Sequence, residues 1–406
     1  MVRAAPVRRP LIRKMAGILR SASHPGLVLH DVVGRKHPLD ADQRHLEEAI
    51  GWLCRAQDAS GCGGVSAGYF IADGGWLPPY PETTGYIIPT LIEYAEKSGQ
   101  ERLVDRALRM GDWEIEIQLD SGAVRGGIGI NQHPDVFNTG QVIQGWTALW
   151  RTTRAARFLT AATRAGRWLV DVQDADGKWN AHSYMGQPHT YHARVAWPLF
   201  ELHTLTGDPA LFHCARQNVQ WILHQSNHTG WIQGMGFQKD EHPLTHTIGY
   251  TLEGLLECAP YLDESLQAAA LALVRTAAER ILLRYERRKP APDEDPLPLP
   301  ARLDSDWRFQ ANYSCLTGNA QLALVWLNLY RRDGDPRYLN GALKLLDQVK
   351  STQSLTSRRP GIRGGIPGSY PCWGGYCPLA FPNWAAKFFA DAIIVQERVM
   401  QDVEGT

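Results

Sequence analysis

The stretch RAGRWLVDVQDADGKW, residues 164–179, decides how the rest of the chain is read. Trp168 lies toward the end of an apolar run, Gln173 follows, and Gly177 comes four residues later. The same order recurs as Trp52, Gln57 and Gly61, as Trp113, Gln118 and Gly122, and as Trp221, Gln225 and Gly230. A fixed period of about 55 residues marks a repeat architecture, in which each unit hides its apolar face against its neighbours. Ahead of each Gln the apolar residues fall at helical intervals, as Leu46, Ala49, Ile50 and Leu53 do, so each copy is predicted to be a helix with one buried face. The Gly after it is a stop where positive φ is needed. Residues 264–284, and 336–350 ahead of Gln353, match in pattern and place without the full signature.

A second register lies between these copies. YPETTGYIIPTLIEYA (80–95), DVFNTGQVIQGWTALW (135–150), HTYHARVAWPLFELHTL (189–205), LTHTIGYTLEGLLECA (244–259), SCLTGNAQLALVWLNLY (314–330) and FPNWAAKFFADAIIV (381–395) each open on a small residue and run apolar nearly all round. With Gly85, Gly140, Ala193, Gly249, Gly318 and Ala386 taken as equivalent, the intervals are 55, 53, 56, 69 and 68 residues. A helix apolar on every side packs inside a ring of others. Six outer and six inner helices therefore predict an all-α fold, an (α/α)6 toroid, with long Gly-rich loops and short β hairpins at one end. TGDPALF (206–212) and DGDPRYL (333–339) are tight links in which Gly ends one helix and Asp-Pro starts the next. The toroid is read as one domain over 39–400, with a basic extension over 1–38 and an exposed Pro/Asp-rich insertion over 285–311.

Composition narrows the function. Lys+Arg and Asp+Glu are equal at 42 each, so no global field attracts nucleic acid. The seven cysteines are scattered without paired CxxC spacing, and no metal or cofactor is expected. HPLTH (242–246) has two His four apart, but Pro243 prevents the continuous helix that zinc spacing would use. RGGIGIN (125–131) lacks a third Gly and a βαβ setting for a nucleotide. No apolar stretch reaches membrane-spanning length, and the run from Leu11 to Leu19 is broken by Arg13 and Lys14. The expectation is a cytoplasmic protein whose basic N-terminus is either solvated or in peripheral contact with a membrane.

Residues 164–179 resemble the QW repeat of squalene and hopene cyclases, a structural clasp between helices in that superfamily. More broadly the chain looks like the six-hairpin enzymes of carbohydrate metabolism, among them unsaturated glucuronyl hydrolases, alginate-lyase-like enzymes and N-acylglucosamine epimerases. VFNTGQVI, HTIGYTLEG, CLTGNAQ, GGIPGSYPCWGGY and FPNWAAKFFADA also resemble a family associated with bacterial exopolysaccharide synthesis. The implied partner is an oligo- or polysaccharide, free or lipid-linked.

Inner helices begin at the mouth, so their first turns are expected to line a cleft. The substrate-binding candidates are Glu82, Tyr86, Asn138, Gln141, His189, Tyr250, Asn319, Trp373 and Tyr376; about half of the Thr and Asn in these turns are expected to be caps. HTYHAR (189–194) unites a proton acceptor, a proton donor and a cation, and with His246 it nominates Tyr191, His192 and Arg194 for catalysis. Proton abstraction beside a uronate carboxylate, in a lyase or epimerase, suits that set. Hydrolysis would need two carboxyl groups, from Glu82, Asp135, Asp304 and Asp306, with Glu82 and Asp306 the favoured pair. A terpene cyclase would need DxDD or DDxxD, neither of which occurs. A non-catalytic glycan-binding component is the remaining alternative.

Overall fold

The repeat pattern becomes helix geometry with few departures. The computed structural model of the protein describes residues 25–32, 34–131, 133–288 and 298–404. A short helix, α1 (Pro25–Val32), precedes the ring. The outer helices are α2 (Asp42–Ser60), α4 (Arg102–Ile117), α6 (Ala156–Asp171), α8 (Pro209–His224), α10 (Glu264–Glu286) and α12 (Pro336–Lys350). Between them run the inner helices α3 (Pro81–Ser98), α5 (Val136–Thr153), α7 (Ala193–Thr206), α9 (Thr245–Cys258), α11 (Leu316–Asp333) and α13 (Asn383–Glu404). Each inner helix packs on the next, and α13 returns to α3 and α2, so the two ends of the chain close an (α/α)6 toroid.

The links behave as their residues dictate. Gly99, Gly207 and Gly334 end inner helices in the left-handed conformation. Asp208 and Asp335 then cap the next helices by accepting from the backbone N–H groups of Ala210 and Arg337, both at 3.0 Å, with Pro209 and Pro336 in the first turn. Small residues let the inner helices touch backbone to backbone. A Cβ on Gly318 would lie 2.1 Å from Thr245 Oγ1.

The outer glutamines stitch the ring. Gln118 donates through Nε2 to Gly122 O in its own loop at 2.8 Å and to Ala161 O of the next outer helix at 3.1 Å. Gln57 does the same to Gly63 O and Arg106 O, and Gln173 to Gly177 O and Cys214 O. Gln353 reaches Gly364 O at 2.8 Å and His45 O at 3.1 Å, joining the last outer helix to the first. Gly177 must be glycine, since its φ is +91° and a Cβ would lie 2.4 Å from Gln217 O. In the first unit it is Gly63, not Gly61, that accepts the bond; Gly61 is the left-handed cap of α2.

The loops gather at the N-terminal ends of the inner helices. Strand β1 (Gly68–Phe70) pairs with β2 (Gly75–Trp76) and, across the ring closure, with β5 (Ala380–Pro382), while β3 (Ser314–Cys315) pairs with β4 (Ser369–Tyr370), all antiparallel. The segment expected as an exposed insertion differs from that expectation where it is described. Leu299, Ala301, Leu303 and Trp307 are buried, Leu244 bridges Arg302, and Trp307 packs edge-on against Trp231 at 5.0 Å. Residues 289–297 of that insertion and 1–24 of the basic extension lie outside the described residues. From the extension, α1 docks on the ring through buried Val28 and through Asp31, which accepts from Cys372 N at 2.7 Å. No helix among the described residues is long and apolar enough to cross a membrane.

Candidate functional site

A cavity of about 420 Å³ opens at the mouth, over the first turns of the inner helices. Tyr80 and Glu82 enter from α3, Asp135, Phe137 and Asn138 from α5, and Tyr191 from the turn before α7. His246 and Tyr250 come from α9, Trp384 from α13, and Tyr376 with Cys377 from the loop before it. Gly127 and Ile128 of the RGGIGIN loop, with Tyr184 and Phe237, complete the rim. The walls are mostly aromatic: Phe137 meets Tyr191 edge-on at 5.3 Å, and His246 lies 4.4 Å from Tyr250.

Two carboxyl groups sit in this enclosure. Glu82 receives hydrogen bonds from the Tyr80 hydroxyl to Oε2 and from the Tyr250 hydroxyl to Oε1, the latter at 3.4 Å. Enclosure among aromatic rings pushes its pKa up to about 7; the phenols pull it down, and the nearby Asp135 charge raises it further. Asp135 caps α5 by accepting from Asn138 N at 2.9 Å, yet burial still lifts it to about 6. Neither carboxyl has an ion-pair partner among the described residues.

His246 is the third titratable group. Its Nδ1 lies 2.6 Å from Gln321 Oε1, so Nδ1 carries the proton and Nε2 is left as an acceptor. Burial lowers its pKa to about 4, leaving the ring neutral at pH 7. Tyr191 and Tyr250 are protonated, their pKa values raised well above the usual phenol by burial.

The structure brings together only some of the residues singled out from sequence. Glu82, Asn138, Tyr191, His246, Tyr250 and Tyr376 line the cavity. Asn138 is also structural, donating to Arg125 O at 2.7 Å. The residues directly after the six small positions share one level of the ring, and of these only Tyr250 reaches the cavity. Tyr86 is enclosed beside Tyr250; Gln141 donates to Arg194 O at 2.9 Å; Asn319 donates to Gln348 at 2.6 Å. Arg194 is fully enclosed, paired with Glu253 at 2.7 Å and lying 5.2 Å from the Tyr250 ring. His192 is buried between Phe137 and Trp179, with no hydrogen-bond partner among the described residues on either nitrogen. His189 is held between Gly236 O and Tyr184 O, behind the cavity wall. Trp373 packs on the core.

Asp306 departs furthest from expectation. Its side chain is 63% exposed, pairs with Arg308 at 3.2 Å, and lines a surface hollow beside Arg280, Arg284 and Arg287 of α10. Asp304 is a turn carboxylate that accepts from Arg308 N and Gln310. The carboxyl that does share the cavity with Glu82 is Asp135, and its signal was legible: it holds the same position before Gly140 that Tyr80 holds before Gly85. Ile128 and Cys377 carried no signal beyond loop position, and Phe137 none beyond its place in the first turn of α5. Among the described residues no group of three or more His, Cys, Asp or Glu is gathered as a metal would require.

No family model and no curated protein matches the chain. Solved structures do. An unsaturated glucuronyl hydrolase responsible for glycosaminoglycan degradation, from Bacillus sp. GL1, superposes with a TM-score of 0.67 at 18% identity, covering 88% of this chain and 97% of that one. Cellobiose 2-epimerase from Bacillus thermoamylovorans B4167 gives 0.65 at 13% identity, covering 88% and 98%. A sugar epimerase from a ruminal bacterium gives 0.65 at 13%, covering 87% and 97%. At such identities the likeness is one of fold.

Proposed function

We propose that the chain is a carbohydrate-active enzyme that hydrolyses a glycosidic bond of an oligosaccharide, with Glu82 as proton donor and Asp135 as the second carboxyl. The observation that carries this reading is the pair itself: two carboxyls in one aromatic-walled cavity, Glu82 held near 7 and Asp135 near 6. Burial and the Asp135 charge push Glu82 up the further of the two, which fits it to carry the proton while Asp135 is the more readily ionised. Glu82 delivers its proton to the glycosidic oxygen, the bond to the anomeric carbon breaks, and Asp135 takes a proton from the attacking water. The phenols of Tyr80 and Tyr250 then stabilise the Glu82 carboxylate. Rings such as Tyr191, Tyr376 and Trp384 offer faces for sugar C–H groups. The fold neighbours, a glucuronyl hydrolase and two epimerases, are consistent with a sugar in this cavity. The likeness to exopolysaccharide-associated proteins supports an intermediate of polysaccharide assembly, free or lipid-linked, as the substrate.

His246 favours a second reading, proton abstraction from a uronate by an epimerase or lyase, since a neutral imidazole with Nε2 free to accept is a competent base. The cation such chemistry would use, Arg194, is already engaged by Glu253. Incubation with defined oligosaccharides separates the readings. New reducing ends support hydrolysis. A 4,5-unsaturated product band, or solvent deuterium entering the recovered sugar, supports the second reading and contradicts the first.

A further inference from the structure

Two units lack the clasp: that of α10 has no glutamine at the clasp position, and that of α8 keeps the glutamine but leaves it undone. Gln57, Gln118, Gln173 and Gln353 each bond a carbonyl of the next outer helix, whereas among the described residues the Gln225 side-chain amide donates only to Trp221 O, at 3.3 Å. The aromatic of the same unit departs too. Trp52, Trp113 and Trp168 are buried, while Trp221 is partly exposed. Both released side chains face a cleft of about 530 Å³, which Trp231 also lines and whose open edge carries the exposed amides of Gln233 and Gln238.

This cleft adjoins the central cavity. His189 lines the cleft and stacks on Tyr191 of the cavity wall, 4.5 Å away and 11° from parallel. Gly236 and Gln238 line the cleft, while Phe237 between them lines the cavity against Tyr184, which is 51% exposed on the rim. The cleft's chemistry is indole faces flanked by primary amides. Two of its three carboxylates are engaged, Glu241 by Arg302 at 3.3 Å and Asp304 by Gln310 at 2.6 Å, while Asp240 and Lys239 stand exposed at its rim. Such a surface suits hydroxyl groups and C–H faces more than an ion.

We infer that the cleft is a second sugar-binding site, which takes the neutral sugar units following the one bound over Glu82, and that unit four gave up its clasp to form it. This rests on the carbohydrate reading of the cavity. The test uses cello-oligosaccharides and glycosaminoglycan oligosaccharides of two to six units, on wild type, Trp221→Ala and the exposed-loop variant Gln233→Ala. Two readouts are taken: turnover, and binding to Glu82→Gln protein followed by tryptophan fluorescence. Affinity and kcat/KM should rise about 10-fold from the disaccharide to the tetrasaccharide, the increment expected when one of the two added sugars stacks and hydrogen-bonds in the cleft. In either variant that ratio should fall toward 1. A ratio near 1 in wild type, or one that both variants leave intact, overturns the inference while the cavity reading stands. Length-dependent binding lost in Trp221→Ala, without turnover of any oligosaccharide, upholds the cleft and defeats the hydrolase. No binding of any oligosaccharide defeats both.

Discussion

The mouth of the ring and the deeper barrel treat the carboxyl groups of the inner helices in opposite ways. At the mouth, Glu82 and Asp135 meet phenols, backbone N–H groups and the cavity, and their pKa values rise to about 7 and about 6. At least two turns deeper, two carboxylates face cations: Glu253 with Arg194 at 2.7 Å, and Asp391 with Lys387 at 2.5 Å and the Thr90 hydroxyl at 2.6 Å. A fold selected for stability alone would pair both layers or make both apolar, because an unpaired carboxyl in an enclosed site is costly. On the proposed reading, the deeper layer holds the barrel and the upper one serves the chemistry.

Breaking one member of each layer should separate these roles. Glu82→Gln keeps an acceptor oxygen for one of the two phenols and offers an amide N–H to the other's oxygen, but has no proton to donate at the catalytic pKa, so kcat should fall about 10³-fold with Tm little changed. Glu253→Gln should do the reverse. It strands Arg194 as a buried, unpaired cation, at a cost of about 3–5 kcal/mol that chemical denaturation would measure. If Glu82→Gln unfolds the protein while Glu253→Gln only slows it, the division of roles is inverted.

Two smaller effects sharpen the contrast. Gln353→Ala removes three side-chain hydrogen bonds, two of them to His45 across the ring closure, and should cost about 1–3 kcal/mol, whereas Gln225→Ala should stay within about 0.5 kcal/mol. Glu114, in α4, is a third kind of carboxyl: fully buried, without a hydrogen-bond partner among the described residues, and raised well above its usual pKa by burial. A raised carboxyl leaves stability intact below its unfolded pKa, near 4.5, and costs stability as pH climbs from there toward the folded value. Glu114→Gln should therefore raise Tm by a few degrees at pH 7, with the gain shrinking toward pH 4.5 in scanning calorimetry. A gain constant with pH would mean that Glu114 is not ionising on unfolding.

The ring was legible in sequence because a repeat states the same constraint many times. The Gln that bonds two carbonyls and the small residue that admits a neighbouring backbone can each be checked against sister copies. The site was harder to read, because it lies where the copies differ. Taking the residue after each small position as cavity-facing selected Tyr86, Gln141, Arg194 and Asn319, and helix neighbours claim all four. Near one turn earlier are Glu82, Phe137 and His246, which do face the cavity. Helical periodicity gives the face but not the depth at which the barrel opens; that is set by loops such as 125–131 and 234–238. Asp306 shows the same limit. Its closeness in sequence to β3 suggested the mouth, but the chain turns at Trp307, whose indole donates to Thr229 O, and directs the carboxylate outward.

The most direct test of the account is a ¹³C-carboxyl NMR titration of Glu82, in wild type and in Asp135→Asn. The account predicts a wild-type pKa of about 7, and a lower value once the neighbouring negative charge is removed. A wild-type Glu82 that titrates near the ordinary 4.5, indifferent to Asp135→Asn, would contradict it.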